Sequence, residues 1–294
     1  MEFTGERYMP NVGGMIALEH WHRYVAVKEL VRGKSVLDIA SGEGYGSFLL
    51  ADAAQSVIGI DLSDEAVLHA QSQYQLENLK YLQGDCTQIS LESQSVDCVV
   101  SFETLEHHDK HEEMMAEVKR VLRPGGLLII STPDRYEYTD VPQRENCFHV
   151  KELYYAEFES LLKQYFSNIN MLGQRIVYGS ALFDGKNAAK ILTYDFNAVG
   201  ENGTAGLAKP LYWIALASDE ALPLLSHSLM EQPLEEIQTP YIRQCEAKVK
   251  HLESTIANQE AELARTRSLL LEIRESLSWR MTYPLRAVSR IFRK

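Results

Sequence analysis

The stretch "DIASGEGYG", Asp38–Gly46, places three glycines within five residues directly behind the apolar run "SVLDIA". A strand that runs into such a loop and then into a helix lets backbone N–H groups approach a ligand at the helix N-terminus. The spacing separates the candidate ligands. A dinucleotide fingerprint, G-x-G-x-x-G counted from Gly42, needs a third glycine at position 47, where Ser47 stands. A phosphate-binding loop ending in G-K-[ST] needs a lysine, and this loop has none. What remains is an acid followed by alternating small residues, D-x-A-x-G-x-G-x-G. Asp38 at the end of the first strand, facing the ligand, suits a cofactor that carries a positive charge.

Outward from the loop, strands and helices alternate. The sequence predicts strands at "SVLDIA", "SVIGIDLS", "LKYLQGDC", "SVDCVVSFE" and "GLLIISTP". Helices are predicted at "YGSFLLADAA", at "DEAVLHAQSQYQ" with Ser63 as its cap, and at "HEEMMAEVKRVL", which stops at Pro124-Gly125-Gly126. Further on, "YYAEFESLLKQY" is an amphipathic helix, and "SNINMLGQ" and "LYWIALAS" are late strands. Residues 181–208, rich in Gly, Asn and Ala, read as an inserted loop or cap. This alternation predicts right-handed βαβ units in an α/β, doubly wound, mostly parallel seven-stranded sheet closing near Ser218.

At this point the sequence resembles the class I S-adenosylmethionine-dependent methyltransferases, over roughly residues 1–218, with Ala40 where the family's first loop glycine would stand. The resemblance implies S-adenosylmethionine as cofactor and assigns it residues. Asp38 and the backbone at Ala40, Gly42 and Gly44 hold its amino-acid end. Asp61, nineteen residues after Gly42, accepts from both ribose hydroxyls, and Leu62 packs on the adenine. Asp85 accepts from the adenine amino group, with Cys86 beside it, and "SFETLEH", beginning with Phe102, meets the methionine portion. The segment "FTGERYMP…EHWHRY" is similar to the start of a bacterial subgroup associated with O-antigen and surface-polysaccharide synthesis. There it would lie over the cofactor, with Arg7 or His20 turned inward.

Methyl transfer to a hydroxyl needs placement and a group to take the proton, and histidine suits that role near neutral pH. His149 in "NCFHVKE" is the first candidate and His107 in "LEH" the second, with Glu103 and Glu106 able to orient a histidine or a sugar hydroxyl. "EHHDKH" has a metal-like look, but one Asp and two Glu in a loop make a thin magnesium site, so no metal is expected. The expected activity is O-methylation of a sugar hydroxyl on a lipid-linked or surface polysaccharide of the O-antigen, lipopolysaccharide type. The alternatives are a small-molecule O-methyltransferase acting on a quinone or natural product, and a non-catalytic scaffold that binds the cofactor.

Behind this domain, residues 219–240 hold three prolines without a clear period and read as a linker. From Cys245 to Leu277, positions spaced alternately four and three apart carry eight apolar residues in ten, with Gln259 and Thr266 the exceptions. The repeat predicts a coiled coil over 241–278, roughly 50 Å long, that joins copies of the chain. Residues 279–294 form a basic amphipathic tail with five Arg and Lys and no acid, leaving 24 bases against 41 acids elsewhere. Such a tail fits an anionic membrane surface or an acidic assembly enzyme. It also resembles the "SWR…PLR" tails of O-antigen assembly enzymes. The net charge of −12 argues against nucleic acid as a partner. Four scattered cysteines and the lack of a long apolar run predict a cytoplasmic protein, peripheral at most on the inner face of the membrane.

Overall fold

The computed structural model describes residues 15–177, 179–184, 192–193, 204–205, 207–231, 234–282 and 286. They fall into two compact units, residues 1–232 and 233–294.

In the first unit a helix, α1 (Met15–Val27), leads into β1 (Ser35–Ile39), α2 (Tyr45–Ala51), β2 (Ser56–Asp61), α3 (Asp64–Gln73) and β3 (Leu79–Gln83). Next come β4 (Val96–Phe102), α4 (His111–Val121), β5 (Leu122–Pro133), α5 (Tyr155–Lys163) and β6 (Asn168–Ile176). The remaining strands are β7 (Gly179–Asp184), β8 (Leu192–Thr193), β9 (Thr204–Ala205), β10 (Tyr212–Ser218) and β11 (Ser228–Glu231). The expected seven-stranded sheet is present in the order β3-β2-β1-β4-β5-β10-β6, and in it only β10 runs against its neighbours.

Two further antiparallel strands, β7 and β11, extend the sheet beyond β6. β7 comes from the stretch expected to be a loop or cap. β11 comes from the stretch expected to be a linker, in which the second unit's helix also begins, at Leu234. β11 is a four-residue edge strand among prolines, too short to show a period. The rest of 185–206, apart from the short β8–β9 pair, lies outside the described residues, as do the N-terminal "FTGERYMP" and most of the basic tail.

Alternation along the strands builds two cores. Val36, Cys98, Val100, Phe102 and Ile129 face α1, α2 and α3, while Leu37, Ile39, Val99, Leu128 and Ile130 face α4 and α5. Burial on both faces is why these strands read as unbroken apolar runs. Ser63 caps α3 as predicted, its hydroxyl accepting from the Ala66 N–H.

The loop after β1 is packed from behind. A Cβ on Gly44 would stand 2.6 Å from the Ala70 Cβ and 2.8 Å from the Tyr81 ring, and one on Gly46 would stand 2.0 Å from the Tyr24 ring. Gly46→Ala should therefore displace Tyr24 and cost roughly 1–3 kcal/mol, seen as a lowered denaturation midpoint. An unchanged midpoint would contradict this packing.

The second unit is described by α6 (Leu234–Glu275) and the short α7 (Leu277–Met281). In α6 the seam residues Val249, Leu252, Ile256, Leu263 and Leu270 are all exposed.

Candidate active site

A cavity of about 800 Å³ opens at the carboxyl ends of β1, β2 and β4 and runs to the loops after β5. Ala40, Gly42, Asp61, Leu62, Asp85, Cys86 and Phe102 line it. Ala40 takes a left-handed backbone, φ 55°, at the position where the family has glycine. For an L-residue that conformation is strained by roughly 1–2 kcal/mol.

Asp61 ties two loops together. Its Oδ2 accepts from the Gly42 N–H and its Oδ1 from the Ser63 N–H, both at 2.9 Å. Asp85 accepts from the N–H and hydroxyl of Thr87, which hold its carboxyl below the usual range. Burial pushes the Cys86 thiol up to about 12, so it stays protonated, 3.6 Å from His108 Nε2.

Asp38 and Gly44 stand behind the wall instead of on it. The Asp38 side chain, expected to face the ligand, is fully buried under the loop, accepting from Ser47 Oγ at 2.6 Å and from the Tyr24 hydroxyl at 3.3 Å. These two hydroxyls draw the carboxylate inward. Burial raises its pKa to about 7, with the two donors pulling the other way. In its place, Ser41 and Glu43 line the cavity. Ser41 Oγ and Glu43 Oε1 are buried with no hydrogen-bond partner among the described residues. Sequence spacing did not single them out, although both lie inside the quoted loop.

The helix α1 closes one side, contributing Met15, Ile16, Glu19, His20 and Tyr24 to the lining. His20 thus turns inward as the sequence suggested, its Nδ1 3.1 Å from the Tyr45 hydroxyl, whereas Arg7 lies outside the described residues. The anchor is Arg23, fully buried in α1. Its Nε donates to Gln174 at 2.7 Å, a terminal nitrogen lies 3.5 Å from Glu103, and its guanidinium sits 4.4 Å over the Tyr212 ring. Removing one partner of such a buried pair leaves an uncompensated charge, so this cluster fixes the helix in place. Burial also lifts the Glu19 carboxyl to about 7.

At the far end Glu103, Glu106, His107, Tyr138, Asn146 and His149 share the lining. Glu103 and Glu106 are not solvated loop residues. Glu103 accepts from Ser131 Oγ at 2.6 Å, and Glu106 is 1% exposed, its carboxyl raised well above the usual range by burial and by Glu103. The structure brings both candidate histidines together here, with ring centres 5.3 Å apart. His149 Nδ1 lies 2.5 Å from Glu152 Oε1, and Asn146 Nδ2 lies 2.9 Å from His149 Nε2. Asn146 thus covers the His149 Nε2 that faces the cavity.

With the geometry in view, the comparisons with known proteins are specific. Residues 37–130 match the family model for a methyltransferase domain. A probable S-adenosylmethionine-dependent methyltransferase of Mycolicibacterium smegmatis is 36% identical over 171 residues, covering 55% of this chain and 64% of that protein. The probable S-adenosylmethionine-dependent methyltransferase Rv3030 of Mycobacterium tuberculosis is 35% identical over 170 residues, covering 55% and 60%. The YcgJ protein of Bacillus subtilis shares the fold, with a TM-score of 0.51 at 16% identity over 69% of this chain and 100% of that one. Residues 37–130 thus correspond to a methyltransferase domain. The chain spans less than two thirds of the length of these curated relatives.

Proposed function

We propose that the protein is an S-adenosylmethionine-dependent O-methyltransferase acting on a sugar hydroxyl of a lipid-linked or surface polysaccharide of the O-antigen type. When bound, the cofactor supplies a methyl group on a positively charged sulfur. The cavity residues fit it. Ser41 Oγ and Glu43 Oε1, without a hydrogen-bond partner among the described residues, are an acceptor pair for an ammonium group, and a Cβ at Gly42 would meet nothing within 4 Å, so the loop leaves room there. In this reading Asp61 would receive the ribose hydroxyls, Leu62 and Cys86 would flank the adenine, Asp85 would take its amino group, and Phe102 would face the methionine portion. Asp38 would act from behind, as the negative charge under the loop.

The observation that carries the O-transfer is the cluster of Glu106, His107 and His149 at the far end of the cavity, backed by Glu152. It is equipped to receive a hydroxyl and take up its proton. The surrounding Glu103, Tyr138, Asn146 and Tyr212 supply hydrogen-bonding groups suited to a polyhydroxylated acceptor. Labelled methyl transfer to a panel of glycans tests this, against quinone and other small hydroxylated acceptors as the rival. Cofactor binding without transfer to any of them would leave the scaffold reading.

Asp38 gives the site a pH dependence. Between about pH 4 and 7 the unfolded chain loses this proton while the folded chain keeps it. The stability linked to Asp38 is therefore full below pH 4, falls as pH rises through 7 and is flat above. A cationic cofactor favours the ionised form, so its affinity should rise about tenfold from pH 6 to 8. Calorimetry at the two pH values checks this, and Asp38→Asn should flatten the profile. An unchanged profile in that variant would remove Asp38 as the titrating group.

The exposed seam of α6 supports a second proposal, that the helix pairs with that of another copy in a coiled coil. Ile256→Asp with Leu263→Asp in the full chain should then lower the mass seen by light scattering to that of a single chain. The basic tail would in turn hold the assembly at an anionic membrane surface or on an assembly enzyme. No described helix is long and apolar enough to cross a membrane.

A further inference from the structure

We propose that Glu106, His107 and His149 form a binding site for a divalent transition-metal ion, of the zinc, cobalt or manganese class, at the acceptor end of the cavity. One carboxylate oxygen and one nitrogen from each imidazole lie within 4.8 Å of one another. Ligands about 2.1 Å from one tetrahedral ion stand about 3.4 Å apart, so closing on it takes side-chain shifts of only about 1 Å. Two imidazoles and one carboxylate suit these ions better than magnesium, which prefers oxygen. The sequence had pointed away from metal by weighing the acids of "EHHDKH" alone; the third ligand, His149, comes from a loop 42 positions beyond His107.

The surroundings are those of a prepared site. Metal-binding histidines characteristically turn their second nitrogen to a carboxylate or a backbone carbonyl, which fixes tautomer and ring orientation. Both patterns are here. His149 Nδ1 faces the Glu152 carboxylate at 2.5 Å, and His107 Nδ1 faces the Phe148 carbonyl at 3.1 Å. Each arrangement directs Nε2 away from its orienting group. The two loops are also stapled to each other, since the Val150 and Lys151 N–H groups both donate to the Glu106 carbonyl oxygen, at 2.7 and 3.1 Å. Tyr138 stacks on the His149 ring with centres 5.3 Å apart. Asn146, now donating to His149 Nε2, is the group that must turn away when the ion enters.

The binding of the ion follows from this geometry alone, whereas its role rests on the acceptor reading above. An ion held here would ligate the acceptor hydroxyl and lower its pKa, the proton then leaving to solvent water, whereas in the metal-free protein His149 takes it up.

The test uses tag-free, full-length protein stripped with a chelator and dialysed against Zn²⁺, Co²⁺, Mn²⁺ or Mg²⁺. Bound metal is then counted by mass spectrometry. One equivalent of zinc or cobalt per chain is expected, with no stoichiometric magnesium. His107→Ala and His149→Ala should abolish it, and Glu152→Gln should weaken it by about 10–100-fold. His251→Ala, in α6, should retain it. Cobalt-shifted proton resonances of the wild-type protein supply a readout independent of variant folding and should show two imidazole ligands. No stoichiometric ion, or cobalt without imidazole ligands, overturns the site. S-adenosylmethionine calorimetry on the same stripped protein separates this failure from failure of the methyltransferase reading, because cofactor binding does not require the ion.

Discussion

Asp61→Ala is expected to weaken S-adenosylmethionine binding by about 100-fold or more. The carboxylate already bridges the Gly42 and Ser63 N–H groups, so it holds the glycine loop against the end of β2 before any ligand arrives. Hydrogen bonds to a charged group contribute about 1.5–3 kcal/mol each, and the variant loses both of these together with any made to the ribose. Asp61→Asn keeps the shape and one acceptor oxygen, and should fall between wild type and alanine. Calorimetry on the folded variants measures the effect. Wild-type affinity in Asp61→Ala would remove both the ribose role and the importance of the loop bridge.

His149→Ala should lower kcat by about 10²–10³, the range in which a positioned acid–base group contributes, while cofactor affinity stays unchanged. The separation follows from geometry. His149 stands at the far end of the cavity, against Glu152, Asn146 and Tyr138, and among the described residues shares no hydrogen bond with the glycine loop. A loss of cofactor affinity matching the loss of kcat would mean that the residue supports the cavity as a whole and not the acceptor.

The end of the cavity beside the glycine loop was legible because its lining residues sit at strand ends that local patterns identify. Apolar runs mark β1, β2, β3 and β4, and Ala40, Asp61, Asp85 and Phe102, to which the family resemblance pointed, lie where those runs stop. Asp38 shows the limit of that reasoning. Strand position places its Cα, but the direction of its side chain is set by Ser47, in α2, and Tyr24, in α1. The far end of the cavity depends on convergence. Glu106 and His149 meet because backbone hydrogen bonds join the loop after β4 to the loop before α5, and no local period records such a contact. Arg23 was hidden in the same way, since an arginine in an amphipathic helix looks like a solvated residue until Glu103, Gln174 and Tyr212 are brought around it. The strands β7 and β11 were missed for a different reason: β7 lies in a stretch rich in Gly, Asn and Ala, and β11 is a four-residue edge strand among prolines.

Methyl transfer to a sugar oxygen is measured directly with S-adenosylmethionine labelled in its methyl group, offered lipid-linked oligosaccharides and isolated polysaccharides. The expected result is label in a glycan methyl ether, dependent on His149 and Asp61. Label on a quinone or another small hydroxylated compound, with none on any glycan, would contradict it.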